Sequence, residues 1–488
     1  MRSGRRALVA SALAGAAFLS AGCGGKSGLG AGAAGIVPAS APAYIAVDTD
    51  AGSSQWKTVD ELAGRFPDKQ KGVDTIKREL RKDPGLAWEH DIKPALGPEL
   101  DLAWLDFANN GENIVALMQP NDEDAFRRAI EKANTKDPEN KAFYEKIEGW
   151  EVISDKRTLI ERFRRESRGD STKLADDPTF QKGMDAVGRD ALVKGWVSGA
   201  KIMDRINESV GPGVRKFVTK VGTLDWIVAS LRATGDGARY DTVVRGTPGE
   251  LFHGIHASPG FHATLPSRVP SDALFFLTFH GARGMFKSLN KIPGASGPDV
   301  KPALDFVRDI GKLLQGENAL YARRPPSGQI PEVTLVTEPA PGTNGAKKLD
   351  DILLDYAVQI GSVPEDVTIA GLHARMLDFG PLRLYYGNVG DKLVITDLRA
   401  GIEGLKSGSS KLEQSDTFKD ALEKSGMPSK TQGFAYVNIR GGLGVAERLS
   451  QENIPSVVKR NLKPLRSAVE YAATRPSEVQ VTFFVRIN

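Results

Sequence analysis

The chain has 488 residues, of which 40% are hydrophobic, and a formal net charge of +4 at pH 7. Arg2, Arg5 and Arg6 supply most of that charge, so the rest of the chain is close to neutral. A near-neutral body lacks the basic field that nucleic-acid binding requires, which excludes a nucleic-acid partner, and the length predicts more than one domain.

The N-terminal segment predicts export and a lipid anchor. Its apolar run, residues 7–19, is shorter than the roughly 20 residues of a membrane-spanning helix. The sequence LSAGC at 19–23 is similar to the cleavage site of bacterial lipoproteins, with leucine one position further from the cysteine than is usual. We therefore predict a signal peptide at 1–22 and lipid on Cys23, the chain's sole cysteine. The alternative is ordinary signal cleavage, which leaves Cys23 free.

The residues after Cys23 are rich in glycine, alanine and serine. This composition offers little apolar surface to bury and is typical of flexible linkers. It predicts a tether over residues 23–41 that joins the anchor to the folded part of the chain.

The rest of the chain predicts an internal duplication. Val37-Pro38 and Val269-Pro270 each precede an apolar strand. Later matches follow in the same order, namely the strand-closing Pro120 and Pro339, the strands ending at Asp155 and Asp397, and the pairs Thr179-Phe180 and Thr417-Phe418. We predict one copy at 42–250, a linker at 251–266 and a second copy at 267–488.

Each copy is predicted to be α+β. Alternation of apolar residues, as at Val479, Val481, Phe483 and Val485, is typical of strands with one buried face. Helical periodicity follows Pro120, with Asn121 as the expected cap. The fold class is therefore two tandem copies of an antiparallel sheet with helices packed on one face.

Three local features follow from these patterns. The segment 235–237 (GDG) predicts a β-hairpin turn. The spacing between matched residues grows in the second copy, which predicts an insertion within 350–390, where the segments 367–375 and 382–386 could form an additional hairpin. If the copies share a fold, Phe180 and Phe418 are buried in equivalent cores.

The arrangement resembles an uncharacterised family of bacterial exported proteins, catalogued as a domain of unknown function. The resemblance rests on Val37-Pro38 with its strand, on Gln55-Trp56, on LGPE at residues 96–99 and on the stretch 155–159. It implies no functional residues, because that family has no assigned activity.

Few residues suggest a chemistry. His253, His256 and His262 cluster near the junction of the copies and are weak candidates for metal ligands, although linker imidazoles are the simpler interpretation. Asp48-Thr49-Asp50 could hold a divalent cation but is more typical of a turn, and the segment 441–444 (GGLG) is expected to be a turn or bulge. We predict no cofactor.

The sequence favours a non-enzymatic lipoprotein that is held on the membrane through Cys23 and binds an envelope protein or supports the envelope. One alternative is a carrier of lipid or another apolar ligand, since a curved sheet with helices can enclose a cavity. The other alternative is a metal-dependent enzyme that uses His253, His256 and His262.

Overall fold

The computed structural model describes most of the chain, in the ranges 29–82, 85–168, 171–209, 222–248, 260–281, 301–324, 331–356, 361–380, 382–406, 410–449, 454–475 and 477–488. It forms two compact units. The first is Met1–Val210 with Leu224–Gly246, and the second is Gly211–Thr223 with Thr247–Asn488.

The first unit is built from strands and helices in alternation. Its strands are β1 (Ala43–Asp48), β2 (Glu99–Trp104), β3 (Ile114–Met118), β4 (Phe143–Ile147), β5 (Trp150–Ser154), β6 (Val193–Ser198), β7 (Gly222–Thr234) and β8 (Gly237–Pro248). Its helices are α1 (Ser54–Ala63), α2 (Lys69–Lys82), α3 (Glu123–Lys136), α4 (Arg157–Ser167), α5 (Pro178–Ala186) and α6 (Gly199–Ser209). The strands pair antiparallel in the order β4-β5-β3-β2-β1-β6-β7. β7 and β8 flank the turn predicted at 235–237.

The second unit repeats this design. Its strands are β9 (Ala273–His280), β10 (Glu317–Arg323), β11 (Glu332–Thr337), β12 (Glu365–Ile369), β13 (Leu372–Asp378), β14 (Arg383–Val389), β15 (Lys392–Thr396), β16 (Gly433–Val437), β17 (Leu465–Arg475) and β18 (Glu478–Ile487). Its helices are α7 (Lys301–Gly311), α8 (Gly345–Asp355), α9 (Arg399–Lys406), α10 (Asp416–Ser425), α11 (Ile439–Leu449) and α12 (Ser456–Leu462). The strands pair antiparallel in the order β12-β13-β14-β15-β11-β10-β9-β16-β17-β18.

The two sheets share one strand order. β4-β5-β3-β2-β1-β6-β7 in the first unit corresponds to β14-β15-β11-β10-β9-β16-β17 in the second. The additional strands β12 and β13 pair with each other and lie beside β14. They fall within the insertion predicted at 350–390, and β14 itself is the counterpart of β4. The common order supports the internal duplication that the sequence predicts.

Strand register refines the alignment of the copies. Tyr44 lies opposite Trp196, and Phe276 lies opposite Tyr436. Equal spacing from Phe180 and from Phe418 would instead pair Trp196 with Phe434, which is two residues earlier on β16. Because side chains alternate faces with a period of two, that shift moves a residue along the strand but leaves it on the same face.

The predicted α+β class is confirmed, and the structure adds a second helical layer that the prediction did not include. One face of each sheet, face A, carries α4 and α5 in the first unit and α9 and α10 in the second. The opposite face, face B, carries α2 and α3 in the first unit and α7 and α8 in the second. In β3, Val115 and Leu117 enter the core on face A, whereas Ala116 and Met118 enter the core on face B. A strand that is apolar at every position buries both faces, and this explains the second layer.

The predicted phenylalanines are buried in equivalent places. Phe180 is 4% exposed and Phe418 is 3% exposed. Phe180 packs edge-to-face on Tyr44 at 5.5 Å and on Trp196 at 5.3 Å between ring centroids. Phe418 packs in the same way on Phe276 at 6.2 Å and on Tyr436 at 5.0 Å. The prediction of equivalent burial is confirmed, and each copy centres on one aromatic trio.

The segment that precedes β1 belongs to the fold. Ala33, Ala34 and Val37 are fully buried in the core on face A, and the backbone N–H of Leu174 donates to the carbonyl of Val37 at 2.8 Å. Composition alone had assigned residues 23–41 to a flexible tether. Small apolar side chains add little hydrophobicity to a sequence, yet they fit where a backbone must approach a sheet closely, so the described part of that segment is packed.

Two local predictions need correction. The cap of α3 is Asp122, whose carboxylate accepts from the N–H of Ala125, and not Asn121. The glycine-rich segment 441–444 lies inside α11 and is neither a turn nor a bulge. Glycine lowers helix propensity only by about 1 kcal/mol, which the surrounding packing overrides here.

Candidate functional site

A cluster of titratable side chains lies on face A of the first unit. Tyr44 and Asp48 come from β1, Glu99 and Asp101 from β2, and Lys194 from β6. Ala46 is the register partner of both Asp101 and Lys194, so β1 runs between them. Residues two apart on a strand share a face, which places these five groups together. We call this set the acid cluster.

Asp101 is the centre of the acid cluster. Its side chain is 0% exposed, and its Oδ1 accepts a hydrogen bond of 2.7 Å from the hydroxyl of Tyr44. Its Oδ2 accepts no hydrogen bond from the described residues. Burial raises the pKa of Asp101 well above its usual range, and the nearby charge of Glu99 raises it further. A buried, charged carboxylate oxygen that accepts no hydrogen bond is costly, which favours the protonated form of Asp101.

Glu99 joins the acid cluster to the segment before β1. Its Oε1 accepts a hydrogen bond of 3.0 Å from the backbone N–H of Gly30. Gly30 has a φ of +88°, and a Cβ there would lie 2.5 Å from Cε of Met184, so only glycine fits. Burial raises the pKa of Glu99, while hydrogen bonds from Asp101 and Gly30 act in the opposite direction.

Lys194 is the cationic member of the acid cluster. It is 3% exposed, and burial lowers its pKa, against the opposing influence of Asp185, Asp190 and Glu99. A buried ammonium beside carboxyls reduces the net negative charge that the cluster presents to the core.

The second unit replaces most of the acid cluster by apolar residues. By strand register, Phe276 stands for Tyr44, Ala319 for Asp101 and Phe434 for Lys194. Only Glu99, at the start of β2, has an acidic counterpart, which is Glu317 at the start of β10. The cluster is therefore specific to the first copy.

Glu317 performs the same structural task as Glu99 with different partners. Its Oε2 accepts from the N–H of Thr264 at 2.7 Å and from the Thr264 hydroxyl at 2.6 Å. Its Oε1 accepts from the N–H of Leu265 at 3.0 Å and from the hydroxyl of Thr278 at 3.1 Å. In each copy a glutamate, half-buried in the first and buried in the second, thus holds the segment that leads into the first strand.

Most of the residues predicted as sites lie where the structure does not test them. Cys23, His253 and His256 lie outside the described residues. His262 is exposed, and its Nδ1 lies 3.0 Å from the carbonyl of Ser429. Across the described ranges, no three His, Cys, Asp or Glu side chains converge in a way that could hold a metal ion.

Asp48 forms the turn that was the simpler interpretation of Asp48-Thr49-Asp50. Its Oδ1 accepts from the N–H of Asp50 at 2.9 Å, and its Oδ2 accepts from the hydroxyl of Ser53 at 2.6 Å. Burial raises the pKa of Asp48, and the bonds from Ser53 and Asp50 oppose that rise. Both carboxylate oxygens are therefore engaged by the loop itself.

Sequence reasoning did not find the acid cluster. The available signal was the sequence ELDLAW of β2, in which two acids occupy one face of a strand that is otherwise apolar. An acid at a buried strand position is rare and marks either a paired or a protonated group. Chemically, the arrangement can hold and release a proton.

None of the helices in the described ranges has the length and apolar character needed to cross a membrane.

Comparison with known proteins identifies a family and no activity. No curated protein matches the chain, and no solved structure does. One family model matches residues 5–162, which include β1 to β5 and the acids of β2. Over residues 5–162 the chain is similar to the family described as "Protein of unknown function (DUF3352)", which confirms the predicted resemblance to an uncharacterised family.

Proposed function

We propose that the protein is an exported lipoprotein, held through lipid on Cys23 on the extracytoplasmic side of the cell membrane, with a non-enzymatic binding or envelope-support role. The supporting sequence is the basic and apolar segment that ends in LSAGC at 19–23. Two or more acyl chains on Cys23 hold a protein stably at a bilayer.

The position of the first buried residues supports this proposal most directly. Ala33 is 0% exposed, so the fold begins within a short stretch of chain after Cys23. Even fully extended, the chain from residue 23 to residue 33 spans at most about 35 Å, at 3.3–3.6 Å per residue. A lipid on Cys23 would therefore keep the first unit close to the membrane surface.

An apolar row on face B of the second sheet supports a binding role. Val333, Ala322, Phe275 and Val437 follow one another across β11, β10, β9 and β16 by register. Val333 is 41% exposed and Val437 is 37% exposed. Exposed apolar residues that adjoin one another on a surface are typical of contacts with a protein partner or an apolar ligand. The same row is the observation that favours the alternative of a lipid carrier.

The anchor is tested by expressing the chain with Cys23→Ser in a bacterial host. We expect the variant to leave the membrane fraction or to remain unprocessed, and to lose incorporation of labelled palmitate. Ser27→Ala is the matched control, because it changes a small polar residue close to Cys23 and should leave labelling unchanged. Equal membrane retention and normal cleavage of the Cys23→Ser protein would contradict the proposal.

The binding role and its alternatives are separated on the purified Cys23→Ser protein. Lipid recovered by solvent extraction would favour the carrier, and metal retained in stoichiometric amount would favour the enzyme. Val333→Ser with Val437→Ser should weaken binding of an apolar dye if the row is a binding surface. Unchanged dye binding would remove that support.

A further inference from the structure

The acid cluster touches the segment before β1 at two places. Glu99 accepts from the N–H of Gly30 at 3.0 Å. Tyr44, whose hydroxyl donates to Asp101, also lies in one core cluster with Ala34, whose backbone lowers the pKa of Tyr44 slightly against the rise caused by burial. Both contacts hold residues 30–34, which connect the N-terminal segment to the fold. We call residues 29–37 the entry segment.

The carboxyls of Asp101 and Glu99 are close enough for a side-chain hydrogen bond between them to affect the pKa of each. Asp101 and Glu99 are two residues apart on β2 and share face A. Asp101 Oδ2 is fully buried and has no donor among the described residues. Two ionised carboxylates are both acceptors and repel each other in a low-dielectric site, whereas a single proton converts one of them into a donor for the other.

The other charged groups around the pair do not replace that proton. On β1, Asp48 adds a further negative charge near Glu99. On β6, Lys194 faces the pair, but it also interacts electrostatically with Asp185, Arg189 and Asp190. The surroundings of Asp101 therefore offer no donor to Oδ2 within the described chain.

We propose that Asp101 and Glu99 share one proton, and that this proton latches the entry segment onto the first unit. The latch goes beyond the proposed function and does not depend on lipid, because every contact lies within the described residues. If Cys23 is lipidated, the latch also sets how firmly the first unit is held next to its anchor.

The sign of the pH dependence follows from the direction of the shifts. The pKa values of Asp101 and Glu99 are raised in the folded protein, mainly by burial. A carboxyl whose folded pKa exceeds its unfolded value of about 4 stabilises the fold at low pH, and that contribution is lost as the pH rises through the folded pKa. We therefore expect the entry segment to be held in acid and loosened in alkali.

The chain offers a probe that reports on the first unit alone. Its six tryptophans are Trp56, Trp88, Trp104, Trp150, Trp196 and Trp226. All of them lie in the first unit. Tryptophan fluorescence during urea unfolding thus follows that unit, and hydrogen exchange of peptides from 29–41, corrected for the intrinsic effect of pH, follows the entry segment.

The experiment compares purified protein carrying Cys23→Ser with the same protein carrying Asp101→Asn, from about pH 5 to about pH 9. In the parent we expect the urea midpoint to fall as the pH rises. We also expect exchange of 29–41 to accelerate by up to about tenfold per pH unit as the pH rises towards the folded pKa, and to level off above it. Asparagine keeps an acceptor for Tyr44 and supplies a permanent donor towards Glu99, so Asp101→Asn should markedly reduce the pH dependence of both measurements.

Two further variants keep the test decisive. Tyr44→Phe with Asp101→Ala reproduces the residues of the second copy, Phe276 and Ala319, and serves if Asp101→Asn does not fold. Glu317→Gln changes the corresponding acid of the second unit and should leave the tryptophan-monitored pH dependence as in the parent. A parent-like pH dependence in Asp101→Asn would overturn the shared proton. Loss of the dependence in fluorescence, with unchanged exchange of 29–41, would overturn the latch.

Discussion

The two copies hold the same segment with different chemistry. In the second unit Glu317 is surrounded by hydroxyl and backbone donors from Thr264, Leu265 and Thr278. In the first unit Glu99 has the N–H of Gly30 and a second acid, Asp101. A glutamate whose oxygens accept from hydroxyl and backbone donors needs no titrating neighbour. A glutamate that lies beside a second acid, by contrast, needs a proton on one of the two carboxyls. The comparison shows that strand order can be preserved while the polar interior changes.

A second difference concerns one arginine in each copy. In the first unit Arg162 projects from α4, donates to the carbonyl of Leu105 at 3.2 Å and pairs with Asp106 and Glu166. In the second unit Arg323 projects from the end of β10 and donates to the carbonyl of Ala400 at 2.8 Å. In both copies a guanidinium therefore links a helix to the strand region beside it. The arginine belongs to the helix in the first copy and to the strand in the second.

The largest expected effects test the shared aromatic trio. Phe180→Ala and Phe418→Ala should each lower the free energy of unfolding by about 3–5 kcal/mol, because each removes a buried ring that contacts other aromatic rings, two for Phe180 and three for Phe418. Phe180→Ala should shift the transition seen by tryptophan fluorescence, since the tryptophans lie in the first unit. Phe418→Ala should shift the transition seen by far-ultraviolet circular dichroism. A negligible effect of either variant would break the equivalence of the cores.

The arginines should differ in their energetic weight. Arg323 and Glu332 form a buried pair with side chains 11% and 0% exposed, at 2.8 Å. Arg323→Met leaves the Glu332 carboxylate without its partner and should cost about 3–5 kcal/mol in urea unfolding. The side chains of Arg162 and Asp106 are 29% and 32% exposed, so Arg162→Met should cost at most about 1 kcal/mol. Equal costs would show that the two bridges are not distinguished by burial.

Glycines of the second unit allow a sharper test of helix packing. A Cβ on Gly401 of α9 would lie 2.2 Å from Oγ1 of Thr396, whereas Gly442 of α11 has nothing within 4 Å. Gly401→Ala should therefore destabilise by about 1–3 kcal/mol through overpacking. Gly442→Ala should stabilise by about 0.5–1 kcal/mol, because alanine favours the helix. Thermal unfolding of both variants measures the difference, and a stabilising Gly401→Ala would mean that α9 does not sit this close to β15.

The smallest effect concerns the hydroxyl that the second copy lacks. Tyr44→Phe removes the hydrogen bond to Asp101 and should cost about 1 kcal/mol near neutral pH. Its register counterpart, Phe276→Tyr, buries a hydroxyl beside Ala319, which has no side-chain acceptor, and should cost about 1–3 kcal/mol. Urea midpoints of the two variants measure both changes. Neutral behaviour of Phe276→Tyr would indicate that the second core accepts a polar group.

Local patterns predicted a large part of the fold. The matched prolines and the pairs Thr179-Phe180 and Thr417-Phe418 located the duplication, because buried residues at fixed spacing reflect the same strands and helices. The turn at 235–237 was predicted because glycine permits a tight reversal. The glycine-rich segment 441–444 was misjudged, since tertiary packing rather than propensity decides whether such a segment is helical.

The candidate site was beyond the reach of those patterns. Tyr44, Asp101 and Lys194 are far apart in the sequence and meet only because β2 and β6 flank β1. Their burial, and with it the direction of their pKa shifts, depends on the entry segment and α5 packing over face A. Neither fact is encoded in any local window.

The sequence by itself determined the predicted export segment with Cys23, the two copies and the periodicity that makes each one α+β. These follow from short-range spacing and composition, which are properties of the chain before it folds. Only the tertiary structure decided that residues 33–41 are packed, that the sheets carry helices on both faces and that Asp101 lies beside Glu99 under Tyr44. Burial and hydrogen-bond partners arise from contacts between distant segments, so the chemistry of a buried acid exists only after those segments have come together.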